Sequence, residues 1–251
     1  MAEAPNGESG FPVDPMHQFE VQAIVPIHVG DLNLSFTNAS LWMVISAVAI
    51  LLFLGLSMRG RALVPGRMQS MAELCYEMIA NMVRDNVGQE GRKYFPFIFS
   101  LFMFLLFGNL LGMIPGSFTF TSHIIVTFAM AIVIFLAVTL IGIMRHGTKF
   151  LSLFFPHGAP LWTAVILVPI ELISYLSRPI SLSVRLFANM MAGHILLKVF
   201  TGFILLTGVL GVIPLAVLIG ITALEFLVAV LQAYIFTILT CVYLHDAIHL
   251  H

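Results

Sequence analysis

Charge is what this sequence has least of. Of its 251 residues only 9% are Asp, Glu, Lys or Arg, while 60% are hydrophobic. A soluble domain carries about 25% charged residues. The shortage excludes a soluble fold, since water would meet far more apolar surface than one core can hide. An excess of positive charge is also missing. The net charge is −1, so nothing points to a nucleic-acid partner. Cysteine is scarce: Cys75 and Cys241 stand far apart with no Cys-x-x-Cys spacing and read as free thiols. Residues 1–40 hold no Lys or Arg and no early apolar core, so no signal peptide is expected. A phosphate loop, a His-Glu-x-x-His helix and a nucleophile triad are all absent, so no cofactor is expected.

What is present is long uncharged sequence. No charge occurs from Leu32 to Met58, and Leu41–Leu56 is almost wholly apolar, which predicts a first transmembrane helix. Tyr94 to Met144 is also free of Asp, Glu, Lys and Arg, a gap too long for one span. Gly112-Met-Ile-Pro115-Gly116 and Ser117 to His123 break it. Two helices are predicted, Tyr94–Ile114 and Ile124–Met144. The Gly108-x-x-x-Gly112 spacing predicts close approach of another helix. After Lys149 the apolar sequence is interrupted by Glu171, Arg178, Arg185 and Lys198, then turns at Gly208, Gly211 and Pro214. A last apolar helix runs to about Leu244. Each of these two helices is longer than the roughly 20 residues of a vertical span, so a steeply tilted antiparallel hairpin is predicted.

The expected fold is all-α and integral to the membrane. It comprises three roughly vertical transmembrane helices, an amphipathic surface helix and a C-terminal hairpin of two long helices. The divisions are an external tail (1–40), transmembrane helices (41–144) with the surface helix at 68–90, and the hairpin (150–245). Basic residues set the orientation. Arg59, Arg61, Arg67, Arg84, Arg92 and Lys93 mark 57–93 as inside, as do Arg145 and Lys149 for their loop. The uncharged 115–123 loop and the tail then lie outside. In the surface helix Met71, Leu74, Met78 and Met82 share one face, expected to lie on the inner membrane surface. The alternative is a soluble helix packed on a partner.

Ionisable groups inside spans cost at least about 2.5–3.5 kcal/mol each and are functional candidates by default. Glu171, Arg178 and Arg185 are spaced seven and seven. Seven steps fall about 20° short of two turns, so all three share a stripe with Ser181, Ala188, Asn189 and Ala192. Arg185 is expected to point from this small-residue face into a partner. The alternative is an arginine paired to an acid of its own bundle. Arg178, beside Pro179, could snorkel, but for it the structural alternative is the favoured one, and Lys198 reads as an interfacial anchor. Glu225 and Gln232 share a face of the last helix. One hairpin register brings His194 level with Glu225 and Arg185 level with Gln232. His194 and Arg185 are nine apart, about 180° around a helix, so they point different ways. His194 with Glu225 is a natural proton relay, or else a static pair that holds the hairpin. His245-Asp246-Ala-Ile-His249 with His251 has metal-like spacing, but it lies beyond the last span and lacks the hydrolase glutamate, so no metal site is expected.

The run Ser181-Leu-Ser-Val-Arg185-Leu-Phe-Ala-Asn189-Met-Met-Ala-Gly-His194 resembles the signature of subunit a of F-type ATP synthases. Glu171 to Pro179, Leu231 to Thr240 and Gly108 to Pro115 resemble it too, and the tail is similar to alphaproteobacterial members. The resemblance covers nearly all of the chain after residue 40. It implies a non-catalytic, proton-translocating stator subunit in the cell inner membrane, with the N-terminus periplasmic. The partners it implies are a ring of c subunits, the peripheral-stalk b subunits, the rest of the ATP synthase and membrane lipid. Arg185 would face the ring carboxylate and Glu171 the inner half-channel. Asn189, His194, Glu225, Gln232 and Asn109 would be polar positions near the arginine and the outer half-channel. In some bacterial members the acid and the imidazole of the His194–Glu225 pair are exchanged. The rival reading is a self-contained transporter or channel, for which internal repeats and an enclosed cage of polar groups would be expected. Neither is found in the sequence.

Overall fold

A computed structural model of the chain describes residues 19–26, 28–29, 32–33, 35–59, 64–114, 116–147, 150 and 164–249. Pro115, Arg61, Lys149 and His251, all used in the sequence reading, lie outside the described residues. Six helices dominate: α1 (Asn38–Met58), α2 (Arg67–Val87), α3 (Phe95–Gly112), α4 (Ile124–His146), α5 (Ala164–Thr207) and α6 (Val212–Ile248). All but α2 belong to segments long and apolar enough to cross a membrane. The protein is therefore a multi-pass, all-α membrane protein, as its composition predicts.

The breaks fall where the local chemistry puts them. Thr37 caps α1, its hydroxyl accepting from the Ser40 N–H. Pro96 sits in the first turn of α3, where its missing N–H costs nothing. The long uncharged gap is divided at Gly112 and resumes at Ile124. Between α5 and α6 a short 3-10 turn spans Gly208–Gly211, and Gly208 has φ 54°, a left-handed conformation that favours glycine. Helix α5 has 44 residues and α6 has 37. At 1.5 Å per residue each exceeds the roughly 30 Å hydrocarbon core by far. Neither can stand upright within it.

The Gly108–Gly112 spacing marks a close approach, and the nearest groups there are Phe120 and Thr119. A Cβ on Gly108 would run into the Phe120 ring, and one on Gly112 would come within 2.7 Å of the Thr119 side chain. The segment after α3 folds back over that helix, and the two glycines make room for it. In α2 the buried face is Ala72, Ile79, Met82, Val83 and Val87, packed against the bundle, while Met71 and Leu74 are 56% and 69% exposed. Of the stripe named from the sequence, Met82 is buried and Met78 partly so, while Met71 and Leu74 stay open on the helix surface.

The tail also gains structure that the sequence did not suggest. The strand Ala23–Val25 (β1) pairs antiparallel with Phe36–Thr37 (β4), and His28–Val29 (β2) pairs with Leu32–Asn33 (β3). Asn38 ties this hairpin to α1, donating to the Glu20 carbonyl at 3.0 Å and accepting from the Gln22 N–H.

Polar contacts collect one set of helix ends. Arg145 at the end of α4 pairs with Glu90. His146 Nε2 lies 2.9 Å from the Ile248 carbonyl at the end of α6. Arg178 donates to Asp246 at 3.0 Å and stacks over Tyr175 and Tyr243, 5.3 and 5.0 Å from their centroids. Arg178 therefore takes the structural, acid-paired place favoured for it. It leaves the stripe of its helix for an acid on α6, and the two rings shield the charge. Asp246→Ala should leave that guanidinium without its counter-charge. We expect a loss of about 1–3 kcal/mol, below the deep-interior figure because the pair is partly exposed. A lowered thermal midpoint of the purified protein in detergent would register it, while Asp246→Glu should recover most of the loss.

Candidate functional site

Helix α5 divides its residues cleanly between two faces. Leu182, Leu186 and Met190 are almost wholly buried, at 2%, 0% and 0% exposure. Ser181, Val184, Arg185, Ala188, Asn189 and Ala192 are all exposed. The spacing of three and four that buries the leucines turns the arginine outward. Arg185 has no ion-pair partner among the described residues. Asn189 stands one turn beyond Arg185 and Ser181 one turn before it, on the same exposed face. Glu171 is half-exposed and is likewise unpaired among the described residues.

This placement has a chemical consequence. The guanidinium stays charged at any physiological pH. Exposed leucine, isoleucine and valine surround it along the helix, with Leu176, Ile180, Val184 and Leu196 each at least 42% exposed. A fixed cation on an apolar face inside a membrane is costly unless a counter-charge, a carbonyl or water meets it.

A second group lies on the opposite, buried side. His194 is 8% and Glu225 4% exposed, and His194 Nδ1 is 3.6 Å from Glu225 Oε1. The register read from the sequence thus brings these two together. Gly193 makes it possible, since a Cβ there would lie 2.8 Å from the same carboxyl oxygen. Neither carboxyl oxygen of Glu225 has a hydrogen-bond partner among the described residues. On α6, Gln232 is buried two turns on, with Ala229 between them. Asn109 of α3 reaches this row, its amide donating to the Ala229 carbonyl at 3.1 Å while its own oxygen stays unpaired. Glu225 and Gln232 therefore lie along one buried strip of α6, which Asn109 meets from α3. No hydrogen bond joins Gln232 to Arg185 among the described residues, although the register placed them level.

The family model described as "ATP synthase A chain" matches residues 40–245. This chain belongs to that family. Among its relatives, a protein of Paramagnetospirillum magneticum named ATP synthase subunit a is 65% identical over 95% of this chain and 99% of its own length. One of the same name from Parvibaculum lavamentivorans is 61% identical over 96% and 95%. Another, from Rhodospirillum rubrum, is 59% identical over 94% and 99%. Like other members of the ATP synthase A chain family, the protein is a non-catalytic component of the membrane sector of an F-type ATP synthase.

In this A chain several residues of the buried group escaped the sequence reading. Thr119 Oγ1 lies 3.0 Å from His194 Nε2, and the Phe19 ring meets the imidazole edge-on at 6.4 Å. Both are far from His194 in sequence, and no periodicity connects them. Gly193 did carry a signal: a glycine inside a helix costs about 1 kcal/mol and calls for a packing reason. His123, at the start of α4, stacks on Phe118 at 4.9 Å, and burial lowers its pKa below the ordinary histidine value. The histidines near the C-terminus form no metal cluster among the described residues. Rings His245 and His249 stack on each other, while Asp246 is engaged by Arg178.

Proposed function

We propose that this chain is the proton-translocating stator of the rotary motor, forming two half-channels against a ring of c subunits. The observation that carries the reading is Arg185, a permanent cation exposed on an apolar intramembrane face with no counter-ion among the described residues. A ring carboxylate brought opposite it is favoured in its ionised form, so its proton leaves. Once away from Arg185 the same group can be reprotonated and carried, neutral, through lipid. The fixed positive charge also repels protons, so the two half-channels do not leak into each other. Each proton is driven by about 2.3 kcal/mol per 100 mV.

The roles divide along the two faces of α5. Glu171 serves the inner half-channel. His194 and Glu225 relay protons in the outer one, with Gln232 along the same buried strip of α6 and Asn109 meeting it from α3. Asn189 and Ser181 keep the surface around Arg185 polar and thin enough for the ring to approach. The basic residues place 57–93 and Arg145 on the cytoplasmic side of the cell inner membrane and the N-terminal hairpin on the periplasmic side. The polar contacts that join Glu90, Arg145, His146 and Ile248 collect the cytoplasmic ends. The b subunits of the peripheral stalk hold the chain against the turning ring.

A crosslink tests the contact. Asn189→Cys, in a complex whose ring carries a cysteine next to its acid, should form a disulfide on mild oxidation. The buried-side control Ala229→Cys should not. Copurification of the chain with an oligomeric ring and a soluble ATPase is expected too. A chain that purifies alone and still moves protons would point instead to the self-contained transporter.

A further inference from the structure

Thr119 lies outside every motif of the family signature, yet its hydroxyl stands between two fixed groups. Oγ1 is 2.9 Å from the Gly112 carbonyl oxygen and 3.0 Å from His194 Nε2. A carbonyl oxygen can only accept, so the single hydroxyl proton goes to Gly112. The lone pairs of the hydroxyl then face the imidazole, and Nε2 must be the nitrogen that carries hydrogen.

We propose that Thr119 is a positioning residue that holds His194 in its Nε2–H tautomer, leaving Nδ1 bare towards Glu225. The proposal rests on the His194–Glu225 relay inferred above. It adds a direction to it. A proton arriving on the Glu225 carboxyl finds a free lone pair at Nδ1, 3.6 Å away. A small approach of the two side chains then lets the O–H bond break as an Nδ1–H bond forms, giving carboxylate and imidazolium. The Nε2–H remains on Thr119, so the proton leaves by Nδ1, the nitrogen it entered. His194 therefore stores a proton on one side of its ring and does not pass it across. In the other tautomer an N–H would already face the carboxyl, and this transfer would be blocked.

The surroundings hold the hydroxyl in place. Thr119 is 6% exposed. Its carbonyl accepts from the Ser122 hydroxyl at 2.6 Å. A Cβ on Gly112 would lie 2.7 Å from Thr119 Oγ1, so a side chain there would push the hydroxyl off the imidazole. Among the described residues, the ionisable groups facing the ring are Glu225 across on α6 and Lys198 one turn along α5. Phe19 closes another edge and cannot titrate.

The test uses the assembled complex. Thr119→Val keeps the shape and removes the hydroxyl, while Thr119→Ser keeps the hydroxyl and removes a methyl. With nitrogen-15 histidine, the spectrum of the complex minus that of His194→Ala isolates the His194 ring. The expected neutral form is Nε2–H in the parent and in Thr119→Ser, with Nδ1–H or a mixture in Thr119→Val. Passive proton conduction should fall about fivefold in Thr119→Val, the effect of about one hydrogen bond, and stay near normal in Thr119→Ser. In a His194→Ala background Thr119→Val should change nothing further. A packing role predicts the reverse order, with serine harmful and valine harmless, and would overturn the proposal. So would an Nδ1–H ring in the parent, or an undiminished valine effect without His194. If His194→Ala alone conducts normally, the relay reading fails instead, and the tautomer spectrum still decides what Thr119 does to the ring.

Discussion

Arg185→Ala, in complexes reconstituted into vesicles, is expected to abolish ATP-driven proton pumping. Two effects are lost together. A cation about 4 Å from a carboxylate, at an effective dielectric constant of about 20, is worth about 4 kcal/mol. That corresponds to roughly a thousandfold in the tendency of a ring acid to release its proton at this point. The barrier between the half-channels goes with it, so protons can cross without turning the ring. The variant should therefore remain leaky to an imposed proton gradient while showing no pumping above background. Arg185→Lys tests the charge more finely. Lysine supplies a cation, but a flexible and strongly hydrated one without the planar fork of arginine, so partial pumping at most is expected. The arginine is exposed rather than packed, so its loss should leave the fold intact. Pumping by Arg185→Ala at the parent rate would sink the role assigned to it.

Loss of the buried pair should be the next largest effect. Glu225→Gln keeps the shape of the side chain and removes its ability to carry a proton. Positioned proton transfer typically contributes about a hundredfold or more to a rate. Parallel paths through water soften that figure here, so we expect proton flux to fall at least about tenfold. His194→Ala should act in the same direction. Assembly should survive in both, because neither carboxyl oxygen of Glu225 holds a hydrogen bond among the described residues. Gly193→Ala offers an independent check, since its new methyl would press on the carboxyl at 2.8 Å. It should lower flux while leaving both titratable groups present. The pair would be a static brace if Glu225→Gln lost assembly and kept its flux in the complexes that remained. Flux is read from dye quenching in vesicles, and assembly from the subunits recovered with the soluble ATPase.

The helical architecture was legible because charge is so costly in a bilayer that its gaps trace the spans. Leu41–Leu56, Tyr94–Ile114 and Ile124–Met144 each fall within a few residues of an observed helix. The outward turn of Arg185 was legible too, since α5 is long and regular enough for angular arithmetic. The same arithmetic could not name the partner of Arg178. A seven-residue spacing fixes where a Cα lies, but a long side chain beside Pro179 reaches round the helix to Asp246. His194 and Glu225 could be paired because a hairpin has only one register. Thr119 and Phe19 could not be found that way. They come from irregular segments, where no period relates sequence distance to space. The Gly108–Gly112 spacing was a real signal of close approach, but such a signal is silent about what approaches. At Gly112 the nearest group is Thr119.

The outward face of Arg185 bears on biogenesis. Before the chain meets a partner, its guanidinium must face lipid, at a cost of at least about 2.5–3.5 kcal/mol. An orphan copy is thus marked by an unneutralised charge that a docked copy hides. The side chain proposed to divide the proton paths would therefore also make an unassembled copy costly to leave in lipid.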